Sequence, residues 1–254
     1  RCVECGYCEP VCPSKDLTLT PRQRIVLRRE IAAAEANGDT KLAERLRQEY
    51  EYYGVDTCAV DGMCVTRCPV LINTGDLVRR LRAENQDALG AAGWKFASKH
   101  WGTIDKVAGK ALTAAKMLPF PVVRGATDIG RKLFGEDLVP AYKKGLSAGG
   151  APRVPHAEAN PDIVFFPACV NAMFGGVDGE GKHDPVNATQ AFIRLCERAG
   201  VKYRVPEGID QMCCGTPWKS KGYTDGYSIM SDRVLKALWQ ATDGGRIPIV
   251  CDAS

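Results

Sequence analysis

The chain has 254 residues, of which 25% are charged and 45% apolar, and its formal net charge is +4. That length allows one large or two medium domains, each with its own core, and we expect two. The nearly balanced charge argues against a dedicated nucleic-acid-binding protein, and no apolar run approaches the roughly 20 residues that a membrane-spanning helix needs.

The first thirteen residues hold a dense cysteine motif with the spacing C-x2-C-x2-C-x3-C-P, formed by Cys2, Cys5, Cys8, Cys12 and Pro13. In two-cluster ferredoxins, the first three thiolates of such a run bind one iron–sulfur cluster and the fourth binds the neighbouring cluster. Cysteines this dense, in a chain without a secretory segment, favour metal ligation over a disulfide framework. Because the sequence begins inside this motif and stops at a predicted strand end, we expect it to be a piece of a longer polypeptide.

Two helices are predicted after the first motif. A capping box at Thr20 and Gln23 predicts a helix that runs to about Asn37. A second helix is predicted from about Thr40 to Gly54, and the pair would form an antiparallel hairpin. The face of the second helix predicted to pack in the core carries Leu42, Leu46, Tyr50 and Tyr53.

The second cysteine motif repeats the first spacing, but Asp61 stands where the second cysteine would be. By the crossover rule, one cluster would be held by Cys2, Cys5, Cys8 and Cys68, and the other by Cys12, Cys58 and Cys64 with Asp61 beside its fourth iron. A carboxylate is a harder ligand than a thiolate, so the second site would hold either an Asp-ligated cube or a [3Fe–4S] cluster. The alternative is that Asp61 only caps the turn at Gly62.

A third helix is predicted from Gly75 to about Glu84, with Leu77, Val78 and Leu81 on one side. Aromatic and aliphatic residues then interleave with lysines over residues 94–112, which indicates a basic amphipathic helix. Such a helix could rest on an anionic membrane surface or pack on the same protein with its lysines in water. Prolines from Pro119 to Pro161 predict a linker after it.

After this linker, three short apolar runs alternate with helical patterns. The strands are predicted at 163–166, 201–205 and 247–250, and the helices at about 185–198 and 227–241. This order implies a parallel sheet, whose ligands collect at the carboxyl ends of the strands. Four cysteines follow the predicted strand ends: Cys169, Cys213, Cys214 and Cys251. We expect a metal or cluster site at this edge, the rim formed by the carboxyl ends of the strands. A redox-active or simply buried set of thiols is the alternative.

Other residues of this half receive no ligand role. Cys196 lies in the middle of a predicted helix and is expected to be a packed core thiol. The glycine-rich stretch at 175–183 lacks the strand and helix context of a phosphate-binding loop. The histidines lack a partner at ligand spacing: His100, His156 and His183.

Residues 2–13, residues 58–69 and the turn Cys213-Cys214-Gly215 together resemble the iron–sulfur carboxyl-terminal half of bacterial FAD-linked D-lactate dehydrogenases. Glycolate oxidase and anaerobic glycerol-3-phosphate dehydrogenase iron–sulfur subunits are close relatives. The resemblance covers nearly the whole chain and implies a helical ferredoxin module followed by the cysteine-rich domain that heterodisulfide reductases also contain. That domain often ends each repeat with C-x-x-C, but Ser254 stands where the last cysteine would be.

The resemblance implies an electron-transfer module of an α/β protein. A flavin domain or subunit carrying FAD, outside this sequence, would oxidise a D-2-hydroxy acid such as D-lactate, and electrons would pass through two clusters to a quinone or other acceptor. We expect a helical two-cluster module at 1–90, a basic helical and linker segment at 91–160, and a cysteine-rich α/β domain at 161–254 that is truncated at its C-terminal end. The expected location is the cytoplasm, with peripheral contact to the inner membrane face as an option.

Two alternatives stay open. The rim cysteines could carry out thiol or disulfide chemistry as in heterodisulfide reductases, or they could hold a third cluster or zinc. A purely structural protein would hold zinc at every site.

Overall fold

The computed structural model describes residues 2–136, 139–176 and 187–252. By packing, the chain divides into a first unit, Arg1–Lys95 with Thr216–Tyr227, and a second unit, Phe96–Gly215 with Ser228–Ser254. This division differs from the segments drawn from the sequence because residues 216–227 pack in the first unit. The segment boundaries themselves stay a prediction.

Most of the secondary structure in the described residues is helical. The helices are α1 (Pro21–Ala36), α2 (Thr40–Tyr50), α3 (Met63–Arg67), α4 (Thr74–Glu84), α5 (Ala88–Lys99), α6 (Trp101–Met117), α7 (Phe120–Phe134), α8 (Cys169–Met173), α9 (Ala188–Ala199), α10 (Thr216–Lys221) and α11 (Thr224–Ala241). The strands are β1 (Ile163–Phe166), β2 (Tyr203–Arg204) and β3 (Ile249–Cys251), and short π and 3₁₀ turns cover Glu51–Asp56 and Ile209–Gln211.

The start of α1 follows the predicted capping box. The Gln23 N–H donates to the Thr20 hydroxyl, and the Thr20 N–H donates to the Gln23 side-chain oxygen at 2.8 Å. Because this reciprocal pair satisfies two otherwise unpaired helix-end donors, it fixes where the helix begins. The prediction is confirmed, and the helix ends one residue before Asn37.

The end of α2 differs from the prediction. The helix runs directly into the π-helical turn, so Gly54 does not close it. A Cβ at Gly54 would lie 2.6 Å from the Tyr50 ring, and glycine is therefore what lets the wider turn pass that ring. Tyr50 is buried as predicted, but Leu42 and Tyr53 are 38% and 48% exposed. The wider turn breaks the helical register after Tyr50, and Leu42 lies in the first turn of α2.

The core of the first unit lies between α1, α2, the π turn and α4. It consists of Ile31, Tyr50, Val55, Val78 and Leu81. Leu46 and Leu77 are partly buried against it. The predicted inner face of α4 is therefore confirmed, and this core lies directly behind the second cysteine motif, since Cys58 and Val60 also pack on it.

The segment Thr216–Tyr227 packs into the same unit through α10. Arg82 of α4 donates a hydrogen bond to the Ser220 carbonyl at 2.6 Å. Trp218 is fully buried, and its indole N–H donates to the Trp94 carbonyl at 2.8 Å. Buried aromatic side chains contribute large apolar areas, so this segment belongs to the fold of the first unit.

The second unit contains a parallel sheet with the strand order β2-β1-β3. Val164 and Phe165 in the central strand β1 are fully buried, as expected for a strand covered on both faces. The fold class, a helical amino-terminal region followed by parallel α/β structure, is confirmed.

Two predictions for residues 94–161 are wrong. The predicted basic helix divides at His100 into α5 and α6. The predicted proline-rich linker contains α7, because Pro119 caps this helix and Pro121 lies in its first turn. Proline is tolerated there since the first helical N–H groups have no partner within the helix.

No helix described between residues 2 and 252 is both long and apolar enough to cross a membrane. Cys196 is 5% exposed, which confirms the predicted core thiol. The predicted helix start at Pro185, most of the glycine-rich stretch that ends at His183, and Ser254 lie outside the described residues.

Candidate metal centres

One cavity in the first unit gathers residues from both cysteine motifs. The cavity is small, with a volume of about 10 Å³, and is lined by Cys12 of the first motif and by Cys58, Asp61 and Cys64 of the second. These are the four residues that the crossover rule assigns to one cluster. Cys12 and Cys64 are buried at 7% exposure each, whereas Asp61 is exposed.

The backbones of the two motifs repeat one another. The second residue after the first cysteine is left-handed in both, Glu4 with φ 59° and Val60 with φ 56°. The fourth residue after that cysteine is a left-handed glycine in both, Gly6 with φ 81° and Gly62 with φ 76°. A left-handed conformation is costly for a β-branched residue such as Val60, so the repeated loop shape is held by its surroundings. The repeat places Asp61 in the second loop where Cys5 stands in the first.

Within the described residues, the Asp61 side chain makes one hydrogen bond. One of its carboxylate oxygens accepts a hydrogen bond from the N–H of Met63, the first residue of α3, at 3.2 Å. This is the turn-capping contact that the sequence left open as an alternative to ligation. Because a carboxylate has two oxygens and several acceptor positions, the cap and metal ligation are compatible.

Arg24 is the main charged group beside this cavity. Its side chain is almost fully buried and donates to the Gly54 carbonyl at 2.8 Å. Another nitrogen of the guanidinium lies 3.8 Å from the Cys12 sulfur. A buried cation so close to a thiolate stabilises the negative charge on the sulfur. The sequence offers no signal for this role, because Arg24 follows an ordinary helical cap.

Helix α1 also fixes the first motif. Arg29 donates to the Cys2 carbonyl at 2.9 Å and pairs with Glu4. The Glu4 N–H lies 3.4 Å from the Cys2 sulfur, in a hydrogen bond of the kind that tunes metal-bound thiolates. At the other end of the motif, Glu9 accepts from the Thr20 hydroxyl at 2.7 Å and pairs with Arg22 at 3.0 Å.

The other predicted ligand set is more open. Cys5 is exposed, and Cys2, Cys8 and Cys68 are partly exposed. Partial burial raises the pKa of the Cys8 thiol, and the nearby Cys64 acts in the same direction.

In the second unit, the structure brings Cys169 and Cys213 together at the rim of the sheet. Cys169 begins α8 two residues beyond Pro167, and its sulfur lies 3.5 Å from that of Cys213. Hydrogen bonding by Cys213 lowers the pKa of the Cys169 thiol, although burial opposes this shift. Hydrogen bonds with Cys169 and Cys214, together with burial, raise the pKa of Cys213.

The remaining rim cysteines are more exposed. Cys214 faces solvent beside Cys213, and Cys251 is the exposed last residue of β3 rather than a residue past the strand end. Within the described ranges, no three cysteine, histidine or acidic side chains approach closely enough to hold a single metal ion. The ligands of a cubane cluster bind different iron atoms, so they stand further apart than the ligands of one ion.

Arg153 organises the rim although the sequence placed it in a linker. It is 2% exposed at its side chain and donates to the Pro167 carbonyl at 3.2 Å and to the Met212 carbonyl at 2.8 Å. These carbonyls lie just ahead of Cys169 and Cys213. Arg153 therefore holds together the two loops that carry the paired thiols.

Asp252 is a second rim residue that sequence reasoning missed. Its carboxylate accepts from the Ala168 N–H at 2.5 Å, the Asn171 amide at 2.8 Å and the Thr189 hydroxyl at 2.6 Å. It thereby connects the end of β3 to the start of α8. An acidic residue directly after a parallel strand was the available signal, since such strand ends gather functional groups.

The donor chemistry of the first unit fits an iron–sulfur cluster. Three thiols and a carboxylate surround one cavity, and soft thiolate ligands select iron–sulfur clusters, zinc or copper(I). Residues 1–72 match the family described as 4Fe-4S dicluster domain. No curated protein and no solved structure matches the chain. The family match and the repeated cysteine loops identify this chain as an iron–sulfur protein.

Proposed function

We propose that the chain carries single electrons between a flavin, held on another domain or subunit, and a quinone or other acceptor. The observation that carries the proposal is the convergence of Cys12 with Cys58 and Cys64 at one cavity. Such crossing of a cysteine between motifs is the arrangement of two-cluster ferredoxins. When bound, iron–sulfur clusters accept and release one electron at a time with little ligand rearrangement.

The chain would hold two clusters with different surroundings. Cys2, Cys5, Cys8 and Cys68 would bind a [4Fe–4S] cluster close to the surface. Cys12, Cys58 and Cys64, with Asp61, would bind a second cluster that is either Asp-ligated or of the [3Fe–4S] type. Arg24 beside Cys12 would raise the reduction potential of the second site, because a nearby positive charge favours the more negative, reduced state.

The proposed donor is a flavin that oxidises a D-2-hydroxy acid, with D-lactate as the first substrate to test. This part rests on the resemblance of the cysteine motifs and the Cys-Cys-Gly turn to the D-lactate dehydrogenase family. The oxidation yields two electrons and two protons per 2-oxo acid formed, and the electrons would leave singly through this chain. The cytoplasm, with optional contact to the inner membrane face, is the proposed location.

Iron and sulfide analysis with an EPR-monitored redox titration of anaerobically purified protein tests the proposal. We expect about seven to eight iron atoms per chain and two transitions at unequal potentials. Cys12→Ser should remove or shift one transition, whereas Cys196→Ser, which alters a thiol outside both motifs, should leave both unchanged. Zinc without iron or acid-labile sulfide would contradict the proposal, and so would two sites that titrate as one.

A second candidate function is disulfide reduction at the rim, and the 3.5 Å contact between the Cys169 and Cys213 sulfurs favours it. In that reaction the substrate disulfide takes up two electrons and two protons and gives two thiols, with reduced viologen dye as the electron source. Dye oxidation that depends on a disulfide and is lost in Cys213→Ser but kept in Cys196→Ser would support it. If the rim instead holds zinc or a third cluster, metal analysis of the same variants would show a loss of that metal.

A further inference from the structure

The second unit contains a cavity of about 380 Å³ to which neither cysteine motif contributes. It lies between α6, the segment 150–153 and α8, and Asp210 completes it. This volume falls within the usual range of small-molecule pockets. No predicted metal-ligand residue lines this cavity. Any molecule that binds in it would therefore be separate from the proposed clusters.

A buried ion pair forms part of the cavity lining. Arg153 and Asp105 have side chains only 2% and 6% exposed, and their closest charged atoms lie 3.4 Å apart. Within the described residues, Asp105 Oδ1 and Arg153 Nε are buried without a hydrogen-bond partner. Burial raises the pKa of Asp105, although Arg153 opposes that shift. A buried polar atom without a hydrogen bond destabilises the fold. The Asp105 acceptor and the Arg153 donor are therefore available to hydrogen-bond a bound molecule.

The walls of the cavity are set by close backbone contacts. The Gly150 N–H donates to the Ala172 carbonyl at 3.0 Å, and the Gly149 N–H donates to the Thr113 hydroxyl at 3.1 Å. A Cβ at Gly150 would lie 2.1 Å from the Asn171 carbonyl oxygen. The segment therefore passes α8 at a distance that only glycine permits, and the cavity is built into the fold.

The charges of the lining residues favour an anion. Three cationic and two anionic side chains line the cavity, which leaves a formal excess of one positive charge. Lys106 pairs with Asp210 at 2.8 Å, and Arg153 pairs with Asp105. Lys110 has no ion-pair partner within the described residues. Much of the remaining lining is apolar, with Ala114, Met117, Pro152 and Ala172.

We infer that this cavity binds a small amphipathic organic anion, namely a monocarboxylate with an apolar body. Lys110 attracts the carboxylate, the unpaired Arg153 Nε–H donates a hydrogen bond to it, and the apolar body lies against α6 and α8. None of the proposed cluster ligands lines this cavity, so ligand binding here can be tested separately from the proposed electron transfer.

Equilibrium dialysis of the whole, anaerobically purified chain against radiolabelled octanoate tests the site. We expect saturable binding at one site per chain, and weaker competition by octanol, which has the same apolar body without the charge. Lys110→Gln should weaken octanoate binding about fivefold. Ala114→Phe should abolish it, because the ring fills the cavity from an exposed position where the fold tolerates it.

Each variant has a matched control. Lys99→Gln removes a charge from an exposed lysine outside the cavity, and Ala111→Phe adds a ring at an exposed position of α6 that does not line it. Both should bind octanoate like the unmodified chain. Absent binding, unchanged binding in Ala114→Phe, or equal losses in Lys110→Gln and Lys99→Gln would overturn the inference. Octanol that competes as well as octanoate would overturn the assignment to an anion.

Discussion

At the scale of single residues, the position of Asp61 in the repeated loop leads to a direct test. Asp61→Cys should restore a full set of thiolates, and thiolate binds iron more strongly than the harder carboxylate does. After incubation with a chelator, the variant should retain about one more iron atom per chain than the unmodified protein. Asp56→Cys adds a thiol at a nearby exposed position and should change nothing. Equal iron retention in all three proteins would mean that Asp61 is only a turn cap.

Arg24 offers a second residue-scale prediction, because its buried guanidinium contacts both the Cys12 sulfur and the Gly54 carbonyl. Arg24→Gln should lower the midpoint potential of one EPR transition and leave the other in place. It should also reduce the free energy of unfolding by about 1–3 kcal/mol, since buried hydrogen bonds to a charged group are lost. Arg80→Gln, at an exposed position of α4, is the control for both measurements. A potential unchanged by Arg24→Gln would exclude its electrostatic role.

Sequence reasoning proposed a set of ligands but did not identify the residues around them. The spacing of the cysteines and the position of Asp61 were readable because metal ligation demands fixed residue types at fixed intervals. Arg24, Arg153 and Asp252 act through hydrogen bonds to distant backbone groups, and no local pattern marks such contacts. Arg153 was the hardest to anticipate, since it lies in a proline-rich stretch without helical or strand periodicity.

At the scale of elements, the π turn after α2 makes Gly54 sensitive to substitution. Gly54→Ala would bring a Cβ within 2.6 Å of the buried Tyr50 ring, which has little room to move. We expect a loss of about 1–3 kcal/mol in the free energy of unfolding, measured by chemical denaturation under anaerobic conditions. Gly93→Ala is the matched control, because no atom outside the local backbone of α5 lies within 4 Å of the added Cβ. It should be neutral or stabilising by up to about 1 kcal/mol. Equal effects of the two substitutions would contradict the steric argument.

Elements with strong local signals were predicted well. The capping box of α1, the central strand β1 and the inner face of α4 follow from helix-cap chemistry and hydrophobic periodicity, which act over a few residues. The π turn and α7 did not follow from them. In both cases a breaker residue, Gly54 or Pro121, lies at a position where the local geometry tolerates it, and the sequence alone does not reveal that position.

At the scale of the whole molecule, the first unit depends on a segment far along the chain. Trp218 is fully buried in this unit and donates a hydrogen bond to the Trp94 carbonyl. Trp218→Ala should reduce the free energy of unfolding by about 3–5 kcal/mol. Trp239→Ala, at a side chain that is 66% exposed, should cost about 0.5 kcal/mol or less. Similar losses in both variants would show that Trp218 does not anchor the unit.

The placement of residues 216–227 also bears on how the protein is made. During synthesis, Cys2 and Cys68 leave the ribosome long before α10 does. Until α10 has been made, the two cysteine loops therefore lack the segment that packs against α4. Iron loading of the nascent chain would therefore act on an incomplete unit, and the thiols would be exposed to solvent during that interval. We therefore expect the clusters to be inserted late, after residues 216–227 have been synthesised and have packed in the first unit.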